Sequence, residues 1–174
     1  MPIDIYSPYY IQRAYGGYSP CVEGNSAHGL LPFAGSVLPN CVGLVVGRYN
    51  ELQNLGACPY LGSVNANELL QYCASQGLPY SATTPVVGAV MVWDDGHEGH
   101  ARIVEAVNSP TSIDYSESGW NYTSQPIVRY GTASIGNGNW GWNATFLGFI
   151  YPVNTPAPTD THKMPIWMML RYGL

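Results

Sequence analysis

The densest apolar stretch in the first half of the chain is residues 40–52, where Val42, Leu44, Val45, Val46, Tyr49 and Leu52 follow Asn40 and Cys41. Asn40 suits an N-cap, so the pattern predicts a buried helix with Cys41 in its first turn. Residues 65–77 carry apolar side chains at 69, 70, 73 and 74 and end on Gly77, which predicts a second helix. The period then changes. Residues 86–93 read as a β-branched strand closed by the turn Asp94-Asp95-Gly96, and residues 100–107 alternate as its successor. Three further strand signals lie at 112–118, 127–130 and 146–151. Helices first and antiparallel strands afterwards give an α+β order.

The flanks look different. Residues 1–37 are rich in Tyr, Gly, Pro and Ser and read as an ordered N-terminal loop region with little regular structure. After Pro152 the composition shifts to a Pro/Thr linker at 153–162, followed by a short apolar tail at 163–174 that is too brief to fold alone. The expected body is one domain, residues 1–152. With 174 residues, 46% hydrophobic and 13% aromatic, the chain can fill one core but hardly two. Only 10% of residues are charged, while Gly numbers 20 and Pro 14, a profile of short strands and tight turns rather than a helical bundle.

Charge and hydropathy exclude some functions. A net charge of −5 with only six Lys and Arg argues against a nucleic-acid partner, which needs clustered cations. No run approaches eighteen apolar residues, and the first residues have neither a basic start nor an apolar core, so membrane insertion and a signal peptide are not expected. The expectation is a soluble monomer. Cysteines stand at 21, 41, 58 and 73; in a reducing compartment a disulfide framework is not favoured, and Cys58 and Cys73 read as small buried hydrophobes.

Three features carry candidate chemistry. Cys41 falls at a helix start, where unpaired backbone N–H groups favour negative charge on sulfur. His100 follows Gly99 and opens an apolar strand, where a neutral imidazole can take a thiol proton and later protonate a leaving amine. Glu117 and Asn121, one strand further on, could each orient the imidazole. Each alone has a plainer reading: an inert buried cysteine, an ordinary strand-edge histidine, a surface carboxylate, a turn-forming asparagine.

In this order and spacing the three resemble the CHAP family, the cysteine/histidine-dependent amidohydrolases and peptidases of the papain-like superfamily. The matching pieces are Asn40-Cys41-Val42-Gly43, residues 85–93, Gly99-His100-Ala101-Arg102-Ile103-Val104-Glu105, Ser116-Glu117-Ser118 and residues 146–152. The resemblance implies a papain-like fold, with N-terminal helices packed on a twisted antiparallel sheet, and a hydrolase cutting amide bonds of bacterial peptidoglycan. The bond would lie in the stem peptide or cross-bridge, or between muramic acid and the first alanine. It further implies Cys41 as nucleophile, His100 as base, no cofactor, and a phage lysin held in the host cytoplasm until its release to the wall. Gly43 and Leu44 stand where relatives often have an aromatic pair, and Gly119 stands where an Asn often follows the Glu, so Glu117 and Asn121 both remain candidates. Some relatives bind calcium just before the cysteine; residues 33–39 contain no acidic side chain, and no metal site is expected.

Asn40 is a candidate for contacting substrate or the oxyanion, as are Asn25 and the loop at 19–21. Trp93, Trp120, Trp140 and Trp142 are candidates for lining a groove, with burial the plainer reading for at least half of them. Three rivals stand beside the hydrolase. Asp94, Asp95, His97 and His100 offer metal-ligand types within seven positions, without a diagnostic spacing. A wall-binding or virion structural module would suit the Tyr and Trp content. A papain-like protease or deamidase toxin would share the Cys and His.

Overall fold

In the computed structural model, which describes residues 2–12, 33, 35–55, 61, 64–119, 126–135 and 139–156, the apolar run after Pro39 forms helix α1 (Cys41–Gln53). Every residue from Val42 to Asn50 is buried. Its first two turns, Cys41 to Gly47, are apolar on every side, which places them inside the protein. Asn54 ends it in the left-handed conformation, with φ 52°.

The second helix starts later than its pattern suggests. Residues Ala66–Glu68 form a 3₁₀ turn in which the Glu68 carboxylate accepts the Asn65 backbone N–H at 3.1 Å, and α2 (Leu69–Ser75) follows. Leu69, Leu70 and Cys73 are its buried residues. Ahead of α1, a 3₁₀ turn at Pro8–Tyr10 and a bridge from Ile11 to Ser36 tie the N-terminal segment to the body.

The strands are β1 (Tyr80–Ser81), β2 (Val90–Asp94), β3 (His100–Ser109), β4 (Ser112–Glu117), β5 (Arg129–Ser134) and β6 (Thr145–Ile150). They form one antiparallel sheet in the order β1-β6-β2-β3-β4-β5. The described chain is therefore α+β, with two α-helices and a six-stranded sheet.

Three differences from the sequence reading have physical causes. Residues 86–89 are not strand, because Ala89 N–H closes a turn on Val86 O before pairing begins at Val90. Ile127 and Val128 are buried, yet the fifth strand runs from Arg129, since the partner of Glu117 in register is Arg129. Burial fixed those two residues without ladder pairing. The two-residue β1 was too short to leave a pattern.

Both faces of the sheet are covered. On one, Val90, Val92, Ala101, Ile103 and Ile150 join Leu44, Val45 and Val46 of α1 and Leu69 and Leu70 of α2 in a single core. On the other, Met91, Trp93, Val104, Ile113 and Phe149 pack with Trp140 and Tyr151. This explains why β2 reads as continuous apolar sequence rather than alternation. Residues 157–174, with most of the expected linker and all of the tail, lie outside the described residues.

Candidate active site

Cys41 is the first residue of α1, and the turn that presents it is built by its neighbours. The Asn40 side-chain oxygen accepts the Gly43 backbone N–H at 2.8 Å. That bond satisfies one orphan donor of the helix start and holds the first turn square. It also commits the Asn40 oxygen to a cap. Gly43 is required here because a Cβ at that position would collide with the Val37 carbonyl oxygen.

His100 begins β3, at the end of a loop wired by two aspartates. Asp94 Oδ1 accepts the Gly96 N–H at 2.8 Å, and Asp95 Oδ1 accepts those of His97 and Gly99, each at 2.9 Å. Gly99 has φ +74°, and a Cβ there would lie 2.6 Å from the Asn67 backbone nitrogen. Only glycine fits both the dihedral and the space. The loop thus delivers His100 to the start of the strand in one position.

Glu117, the last residue of β4, meets His100 from the adjacent strand. His100 Nε2 and Glu117 Oε2 are 2.9 Å apart, and Cys41 lies near enough to the imidazole to influence its protonation. With Nε2 on the carboxylate, Nδ1 is the nitrogen left for sulfur. Burial works to lower the His100 pKa, but the interactions with Cys41 and Glu117 outweigh it, so the pKa is raised. For Glu117 burial works upward, and the hydrogen bond with His100 together with the charge and hydrogen bond of Arg102 overcomes it, holding the carboxyl at about 2. Thiol, imidazole and carboxylate therefore come together from α1, β3 and β4.

Arg102 adds a partner that the sequence reading did not assign. Its Nε donates to the same Glu117 Oε2 at 2.6 Å, and its guanidinium carbon lies 4.3 Å from the Tyr115 ring centroid and 5.1 Å from that of Trp93. The available signal was strand periodicity: two residues beyond His100, Arg102 shares its face of β3.

Aromatic rings surround the imidazole. Trp142, half-buried, sets its ring edge-on to His100 with centroids 4.4 Å apart. Trp93 does not line a groove, which corrects its candidacy as a substrate contact: it is fully buried, its indole N–H donates to Asn139 O at 2.8 Å, and its ring packs among His100, Trp142 and Phe146. Trp140 is likewise buried. Asn121, Trp120, Asn25 and residues 19–21 lie outside the described residues.

The aspartates of the β2–β3 loop bind backbone N–H groups, and His97 is exposed. Among the described residues no three His, Cys, Asp or Glu side chains converge as a metal site. Nor, among them, is any helix long and apolar enough to cross a membrane.

Behind the site a second polar cluster ties the helix to the sheet. Arg48 of α1 donates through Nε and a terminal nitrogen to both oxygens of Glu105 on β3, at 3.0 and 2.7 Å, and through its other nitrogen to Glu51 at 2.7 Å. Tyr10 donates to Glu51 at 2.8 Å, and Ser116, next to Glu117, donates to Glu105 at 2.8 Å.

Comparison with known proteins gives two findings. The model of the family described as the CHAP domain matches residues 33–119, an interval that contains Cys41, His100 and Glu117. Among solved structures, an N-acetylmuramoyl-L-alanine amidase from Staphylococcus aureus is similar, with 26% identity, a TM-score of 0.43, and coverage of 63% of this chain and 31% of that one. The chain thus spans less than a third of that amidase's length.

Proposed function

Because the chain belongs to the CHAP domain family, we propose that it is a peptidoglycan hydrolase that cuts a wall amide bond through Cys41 and His100. The observation that carries this reading is the meeting of three groups: His100 lies 2.9 Å from Glu117, and Cys41 at the start of α1 is close enough to help raise the imidazole pKa. It supplies a nucleophile, a base and an orienting group in the order that acyl transfer needs.

The steps follow from those groups. Cys41 Sγ passes its proton to His100 and attacks the scissile carbonyl. The oxyanion lies against backbone N–H groups at the start of α1, where the helix dipole favours negative charge. The imidazolium protonates the departing amine, leaving a thioester that water then hydrolyses with His100 as base. Glu117, ionised throughout, holds the imidazole in one orientation and offsets its positive charge. Trp142 packs edge-on against the imidazole and restricts its motion.

A papain-like arrangement is expected on this reading, and it is supported by Cys41 heading a helix and His100 heading a strand. The reaction is endopeptidase or N-acetylmuramoyl-L-alanine amidase chemistry, the activity named for the similar amidase. On the family resemblance alone we place it in phage-induced host lysis.

Purified peptidoglycan from several bacteria, digested with wild type and with Cys41→Ala, tests the reading through the masses of the released fragments. Wild type is expected to release fragments with new amine termini, and Cys41→Ala none. Equal release by both proteins, or release by neither from any wall, would overturn it.

A further inference from the structure

Glu117 sits between two cations, and only one of them belongs to the chemistry proposed above. Its Oε2 is 2.9 Å from His100 Nε2 and 2.6 Å from Arg102 Nε, so the shorter bond goes to the arginine. A carboxylate at the end of a strand has three rotatable bonds and no reason of its own to face the imidazole. Here one oxygen is fixed from a second direction.

The arginine is itself held on every side. Tyr115 and Trp93 flank its guanidinium at 4.3 and 5.1 Å, and a terminal nitrogen reaches Trp140 O at 3.4 Å. It is 8% exposed, so its charge is screened weakly by water. A stacked, forked donor between two rings is a rigid support, which a lysine would not reproduce.

We infer that Arg102 is a positioning residue for this site: it clamps Glu117 against His100 and keeps that carboxylate ionised while the imidazole changes charge. The inference rests on the catalytic reading only for its effect on turnover. Among the described residues, the groups facing the Glu117 carboxylate include His100 and, beyond it, Cys41 from α1, Arg102 from β3, Tyr115 on its own strand, and the exposed Arg129 opposite it on β5. Of these, Arg102 is the buried permanent charge in direct contact.

Two readouts test it. In protein labelled with ¹³C at glutamate carboxyls, Glu117 of Arg102→Met is expected to titrate at least one pH unit above wild type. The ¹⁵N signals of the His100 ring should move from a single Nε2–H tautomer toward a mixture. Arg102→Lys should keep much of the carboxyl shift while losing the fixed tautomer, and Arg129→Met should move the carboxyl less than Arg102→Met does. In turnover of a soluble cross-linked muropeptide, Arg102→Met should lower kcat roughly ten- to a hundredfold, on the order of what losing a supporting hydrogen bond costs around metal-bound histidines. KM should stay near wild type, and the acid limb should move to higher pH.

An unchanged Glu117 titration and His100 tautomer in folded Arg102→Met would overturn the inference, as would a loss confined to thermal stability. Where Arg102→Met does not fold, Arg102→Lys carries the same test through the tautomer. Failure of the catalytic reading would show instead as undiminished activity of Cys41→Ala, and the carboxyl titration would still decide the role of Arg102.

Discussion

At the scale of single residues, two described cysteines have opposite surroundings. Cys41 is half-buried at a helix start beside His100, whereas Cys73 is buried in the core, where loss of solvation pushes its thiol up to about 12. A thiol held that high carries almost no thiolate at neutral pH. Iodoacetamide at pH 7 should therefore alkylate Cys41 and leave Cys73 unmodified, with activity lost in step with the Cys41 adduct; peptide mass mapping against residual activity checks both. The places of Cys41 and His100 were legible in the sequence because each stands at a boundary that sequence marks, a capping asparagine before Cys41 and a glycine before His100. Glu117 was legible only as one of two candidates. Arg102 was hidden because a lone arginine in a strand looks like a surface charge until its carboxylate is placed beside it.

At the scale of elements, the loop between β2 and β3 decides where the base sits. Gly96 and Gly99 both have positive φ, at +84° and +74°, but a Cβ at Gly96 meets nothing within 4 Å while one at Gly99 strikes the Asn67 and Trp93 backbones. Gly96→Ala should cost about 1 kcal/mol, the ordinary penalty of a left-handed alanine, and leave turnover near wild type. Gly99→Ala adds a backbone collision to that penalty. It should cost about 2–4 kcal/mol and lower kcat at least tenfold, because relief of the collision moves His100. Thermal melts and initial rates of the two variants make the comparison. The strands around this loop were legible from their β-branched runs. Their ends were not, since a turn at residues 86–89 and the register that begins β5 at Arg129 depend on partners far along the chain.

At the scale of the whole molecule, the site links stability to pH. Glu117 has a folded value of about 2 against an ordinary 4.5, so its contribution is present above 4.5 and is lost as pH falls toward 2. His100 is raised above its ordinary 6.5; its contribution is complete below 6.5 and is lost as pH rises through the folded value. Between pH 4.5 and 6.5 both act. Melting temperature should therefore be highest in that window, decline on either side, and lose its alkaline decline in His100→Gln. A melting temperature that still climbs from pH 6 to pH 8 would contradict the assignment.

The α+β order was legible at this scale. The joining of helix and sheet through Arg48 and Glu105 was not, because a buried ion pair leaves no periodicity.

The fold is fastened at its two outer margins. Ile3 N–H donates to the Tyr130 hydroxyl at 2.7 Å, and Val153 N–H donates to the Gln53 side chain at 2.9 Å, the first reaching β5 and the second the end of the nucleophile's helix. For anyone transplanting this CHAP domain into a different protein, these two bonds set the seams. Junctions placed before Ile3 and after Val153 keep both fasteners, while a junction inside either would graft a domain whose helix or edge strand has come loose.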